Sequence, residues 1–163
     1  MSIKKIKLLI LLSGFLLGNT IVFAQAGKLP PFRMMRTNGK VFKAEDLPMG
    51  KPIIIIYFSP DCDHCNILMR DFFKHQESFK NASIAMVTYL PIDDVRKFSQ
   101  KYSVSKHTNI YVGSEGSTLF LKNYYALTQM PFIALYTKNG DFVKSYRNEE
   151  DLTDLSNRLK NLK

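Results

Sequence analysis

The sequence predicts an α/β fold over residues 27–163, a central mixed β-sheet flanked by helices, and three observations carry that expectation. The run "IIIIYF" at Ile53 to Phe58 is continuous, β-branched and too short for a helix, the signature of a central strand covered on both faces. Directly after it Cys65, Leu68, Met69, Phe72, Phe73 and Gln76 fall on one helical stripe. A second apolar strand, Ser83 to Leu90, and a second helical stretch opened by Pro91 and running to Tyr102 complete a β-α-β-α alternation.

The remaining elements follow from turn chemistry and spacing. Ahead of the central strand, "LPPFRMMRTNGKVFKAEDL" holds two short extended pieces around Asn38-Gly39, the pair that a tight type I′ hairpin turn demands. From Cys62 the pattern is helical, with Asp61 or Asp63 available to the amide donors of the first turn. Residues 103–113 carry no clear period, and "SEGSTLFLKNYYAL" from Ser114 reads as helical in its second half. "PFIALYT" (Pro131 to Thr137), Asn139-Gly140 and "DFVKSY" (Asp141 to Tyr146) read as a hairpin. Asp151 to Leu162, with Leu152, Leu155, Leu159 and Leu162 on one face, reads as a closing amphipathic helix.

Residues 1–26 stand apart. Lys4, Lys5 and Lys7 form a basic start, Leu8 to Gly18 a mostly apolar core, and Ala24-Gln25-Ala26 a small-residue cleavage signal, so this stretch reads as a secretory signal peptide. An uncleaved membrane anchor is the competing reading, because the apolar run extends through Asn19 and Thr20 to Phe23. Either way the expected location is the periplasm or cell envelope. The formal charge of +9 includes those three lysines, and the other basic residues are scattered among acids. No basic run with interleaved aromatic residues exists, which argues against nucleic acid.

Only two cysteines occur, both in "SPDCDHCN" at Ser59 to Asn66. A disulfide between Cys62 and Cys65 closes so small a loop that it constrains the unfolded chain little, which makes a purely structural role weak. Zinc wants four ligands, and His64, His75 and His107 supply no second ligand pair. Copper(I) between the two thiolates stays open as a non-catalytic reading, although Met34, Met35, Met69, Met86 and Met130 are explained as core filler.

Redox exchange needs the fewest assumptions. At a helix N-terminus unpaired amides and the dipole favour a thiolate at Cys62, and Cys65, one turn inside, can attack a mixed disulfide formed on it. His64 favours that thiolate, whereas Asp61 and Asp63 add negative charge and oppose it. The place of the pair, after a buried strand and before a helix, is the context of a thioredoxin-like motif.

With these residues in view the chain resembles the thioredoxin-fold proteins of the bacterial envelope, and among them the TlpA/ResA-like thiol-disulfide oxidoreductases. The resemblance rests on "NGKVFKAEDLPMGKPIIIIYFSPDCDHC" and "MPFIALYTKNGDFVKSY". It implies a cis bond at Met130-Pro131, a substrate-binding edge formed by these two residues, and an extra helix and strand inserted between Cys65 and Pro131. It implies no organic cofactor, since the dithiol stores the electrons. A monomer is expected, acting on thiol- or disulfide-containing envelope proteins and served by a membrane electron donor or acceptor.

The resemblance implies reduction of partner disulfides, while His64 beside Cys65 points to DsbA-like oxidation. The family's buried acid on the central strand would fall at Ile56, and its aromatic residue before the first cysteine is Asp61 here. Ser59-x-x-Cys62 faintly resembles a peroxiredoxin pocket, but the proline of that family would stand at Ile55.

Overall fold

The computed structural model describes residues 27–147 and 152–162. The proposed signal segment therefore lies outside the described residues, as does Asp151. Seven strands form one sheet: β1 (Arg33–Met35), β2 (Val41–Lys43), β3 (Ile53–Tyr57), β4 (Ser83–Thr88), β5 (Ile110–Ser114), β6 (Phe132–Tyr136) and β7 (Phe142–Tyr146). Their order is β2-β1-β5-β4-β3-β6-β7. β3, β4 and β5 run parallel, and β1–β2, β1–β5, β3–β6 and β6–β7 are antiparallel, so the sheet is mixed as expected.

Four α-helices lie among the described residues: α1 (Asp63–Lys74), α2 (Ile92–Lys101), α3 (Phe120–Tyr124) and α4 (Leu152–Asn161). The unperiodic stretch 103–113 resolves into a single 3-10 turn, Val104–Lys106, and the start of β5. The inserted segment between Cys65 and Pro131 thus contributes α2, β5 and α3 besides β4.

β3 explains why its sequence is unbroken hydrocarbon. All five residues are buried, because one face meets α1, α2 and α4 and the other meets the N-terminal segment and α3. Alternation along the strand divides them: Ile54 and Ile56 join the first core with Leu68, Met69 and Phe72, and Ile53, Ile55 and Tyr57 join the second with Phe32, Met34 and Leu121. Each such side chain contributes about 1.5–3 kcal/mol by leaving water.

Both hairpins form, but the first turn is not of type I′. Gly39 donates to the Arg36 carbonyl at 2.9 Å and is at φ +76, whereas Asn38 does not reach positive φ. The Asn38 carboxamide instead accepts the Lys40 amide, so glycine alone takes the left-handed position. The β6–β7 turn repeats this plan, with Gly140 at φ +77 donating to Thr137. Where β1 crosses β5, Gly113 permits the approach: a Cβ there would lie 2.7 Å from the Met35 carbonyl oxygen.

The stripe read through Gln76 ends earlier than its spacing suggests. α1 closes at Lys74, His75 donates its amide to Asp71 and Phe72, and Gln76 begins a separate 3-10 turn.

Candidate redox site

The two cysteines sit where β3 gives way to α1. Phe58 continues the strand by donating to the Val87 carbonyl, and the chain then turns through Ser59, Pro60 and Asp61, closed by the Cys62 amide donating to the Ser59 carbonyl at 3.1 Å. Cys62 is the N-cap of α1, in extended conformation, and its carbonyl accepts the Asn66 amide at 2.9 Å. Neither Asp61 nor Asp63 caps the helix, contrary to the expectation from sequence, because Cys62 itself occupies the capping position and makes no side-chain cap bond.

The sulfurs differ in access. Cys62 is half-buried and Cys65 is buried, and no disulfide joins them. Cys62 Sγ lies 3.6 Å from the Met130 carbonyl oxygen, and the Ser59 amide points at Cys65 Sγ from 3.5 Å. The Met130-Pro131 bond is cis, Pro131 is buried and Met130 is half-buried, packing against both cores. The chain therefore brings Cys62, Cys65, Met130 and Pro131 to one corner. Asp61, Asp63 and His64 are exposed around it, the last two in the first turn of α1.

Two residues that sequence reading passed over hold this corner. The Asn66 carboxamide donates to the Pro60 carbonyl at 3.0 Å, and its oxygen accepts the Lys101 ammonium at 3.3 Å. Asn66 thus ties the loop before Cys62 to α1 and, through Lys101, to α2. The only sequence signal was a short polar residue next to the motif.

Ile56 stands in the core cluster that contains Cys65, so no acid enters from that strand position. The buried carboxylate lies on the other face: Glu115 accepts the Tyr57 hydroxyl at 2.6 Å and the Leu121 amide at 2.8 Å. Burial first, and Glu115 second, push the Tyr57 hydroxyl well above the ordinary tyrosine range. Among the described residues no three His, Cys, Asp or Glu side chains converge as a metal would require.

The sequence model of the AhpC/TSA family matches residues 26–158. No curated protein matches the chain. Among solved structures, a secreted Mycobacterium tuberculosis disulfide oxidoreductase homologous to Escherichia coli DsbE is 18% identical, with TM-score 0.65 over 81% of this chain and 96% of the other. The exposed lipoprotein thioredoxin of Streptococcus pneumoniae is 20% identical, with TM-score 0.61 over 82% and 100%. A peroxiredoxin-like protein from Aquifex aeolicus is 13% identical, with TM-score 0.68 over 84% and 86%. At these identities the likeness is one of fold, and that fold is the thioredoxin-like one.

Proposed function

We propose that this chain, which belongs to the AhpC/TSA family, is an exported thiol-disulfide oxidoreductase of the TlpA/ResA-like kind that reduces disulfides in envelope proteins. The observation that carries the reading is the half-buried Cys62 sulfur at the N-cap of α1, 3.6 Å from the Met130 carbonyl, with the buried Cys65 one turn inside.

In the proposed reaction the Cys62 thiolate attacks one sulfur of a partner disulfide. A Cys62–partner bond forms, the partner's internal bond breaks, and its second sulfur leaves as a thiolate. Cys65, losing its proton to solvent, then attacks Cys62 Sγ and expels the remaining partner sulfur. Two electrons pass to the partner, and Cys62–Cys65 becomes the disulfide. A donor dithiol of the envelope restores the starting state. Met130 and Pro131 hold the partner backbone, and Asp61, Asp63 and His64 stand exposed around the attacking sulfur.

Ser59 assists the resolving step, since its amide donates a hydrogen bond to the developing Cys65 thiolate. DsbA-like oxidation is the same exchange run backwards, and the equilibrium potential separates the two. The purified protein, equilibrated in dithiothreitol or glutathione buffers, is expected near or below about −230 mV. A value above about −150 mV would make it an oxidant instead. Failure to form the Cys62–Cys65 disulfide at any poise would remove the exchange reading altogether.

A further inference from the structure

Beside the redox corner, on the face of the sheet away from α1, a cleft of about 310 Å³ opens between α3 and the β6–β7 ribbon. Phe132 and Tyr136 form its buried floor, and Tyr124, Tyr125 and Phe142 its walls, with Phe142 41% and Tyr124 37% exposed. The rings do not close on one another. Tyr124 meets Tyr125 edge-on at 5.0 Å, Tyr136 meets Phe142 at 71°, and Tyr125 lies 4.6 Å from Phe132. Ser145 and Arg147 complete the lining, and the Arg147 guanidinium stands 5.7 Å over the Phe132 ring.

The cleft starts at the end of the sheet that carries the exchange site. Phe132 follows Pro131 directly, and the Ile133–Tyr146 pair brings Arg147 out of β7 at the same end of the sheet as the Met130 carbonyl. From there the floor runs along β6 to Tyr136, four residues or about 13 Å. A polypeptide extended along the Met130 edge therefore has ring-lined space for a neighbouring side chain on this side of the sheet. Asp61 and Asp63, on either side of Cys62 in the chain, are exposed. Those charges favour cationic flanks, although a mouth of this kind discriminates charge only modestly in salt.

We propose that this cleft is a substrate-selecting subsite, which takes an aromatic side chain lying within two residues of the cysteine in a partner segment with basic flanks. The assignment rests on the oxidoreductase reading above. Edge-to-face packing against Tyr125 and Phe142 and the cationic Arg147 over the floor match an aromatic ring better than an aliphatic chain. The Tyr125 and Tyr136 hydroxyls bond to each other within the lining. Burial raises both, Tyr136 to about 12, so they remain neutral at working pH and present no anion to the guest.

The test uses lysine-flanked peptides with one cysteine held as a mixed disulfide with glutathione, and with Phe or Ala two residues away. The intact reduced protein should release the Phe peptide about tenfold faster in kcat/KM. Phe142→Ser, at an exposed wall, and Arg147→Gln should each bring the Phe/Ala ratio towards one. The ratio is internal to each variant, so partial unfolding leaves it unmoved. Equal rates for both peptides in the wild-type protein, or an unchanged ratio in both variants, would overturn the subsite alone. No release from either peptide, together with no reduction of a small aromatic disulfide, would overturn the exchange reading beneath it.

Discussion

The two faces of the sheet put their polar groups to different uses. On the face covered by α1, the groups that reach the sulfurs come from the backbone, namely the Ser59 amide and the Met130 carbonyl, within a core that contains Ile56. On the opposite face Tyr57, one residue further along β3, bonds the buried Glu115, which also receives the Leu121 amide at the start of α3. A single step along a strand, which reverses the direction of the side chain, separates the two. The difference teaches that a buried carboxylate in this fold is no guide to sulfur chemistry unless it stands on the face of α1.

The strongest way to break that comparison is Glu115→Ala. It leaves the Tyr57 hydroxyl and the Leu121 amide without their partner inside the second core, and should cost about 2–3 kcal/mol in denaturant unfolding. The Cys62/Cys65 potential should stay in place. A displaced potential would mean that the second face takes part in the exchange.

Asn66→Ala sharpens the comparison from the other side. Losing its bond to the Pro60 carbonyl should cost only about 1 kcal/mol of stability. Exchange should nevertheless slow, because the loop that sets Cys62 against Met130 is released. Unchanged exchange kinetics in this variant would show that the loop is held without Asn66.

The smallest effect belongs to the surface beyond both cores. Hydrogen bonds from Arg158, then Lys144 and Tyr146, hold the Asp154 carboxyl down at about 2, below its ordinary 3.8. A carboxyl lowered by folding stabilises the native state above its unfolded value, and that contribution is lost as the pH falls from about 4 through about 2. Asp154→Asn should therefore flatten the fall in melting temperature over that window, modestly, since the group is exposed and screened. An undiminished slope would place the acid sensitivity elsewhere.

The elements with one dominant physical cause were legible in the sequence. β3 had its unbroken β-branched run, α1 its apolar stripe, and the β6–β7 hairpin its Asn139-Gly140 turn. The short pieces were legible as a helical stretch after Ser114 and a hairpin around Asn38-Gly39, but what anchors them was not. α3 spans only Phe120–Tyr124 and starts from Leu119 at φ 47, with its Leu121 amide bonded to the side chain of Glu115, six residues earlier, a contact that no helical period announces. β1 joins β5 at the single pair Met35–Ser114, which depends on the space at Gly113 rather than on the propensity of either strand.

The same distinction holds for the site. The cysteine pair was legible because its spacing states its chemistry. Its backbone partners were not, since Ser59 and Met130 act through groups that every residue carries. The aspartates were misread as caps because their composition suits that place, whereas the chain gives it to Cys62.

The most direct test of the exchange assignment is trapping. Cys65→Ala, incubated with disulfide-bearing envelope proteins and analysed by mass spectrometry without reductant, should accumulate partners joined covalently through Cys62. The double variant Cys62→Ser with Cys65→Ala should accumulate none. If Cys65→Ala captures no partner, while the unaltered protein binds one equivalent of copper(I) tightly, Cys62 and Cys65 serve as ligands rather than as an exchanging dithiol.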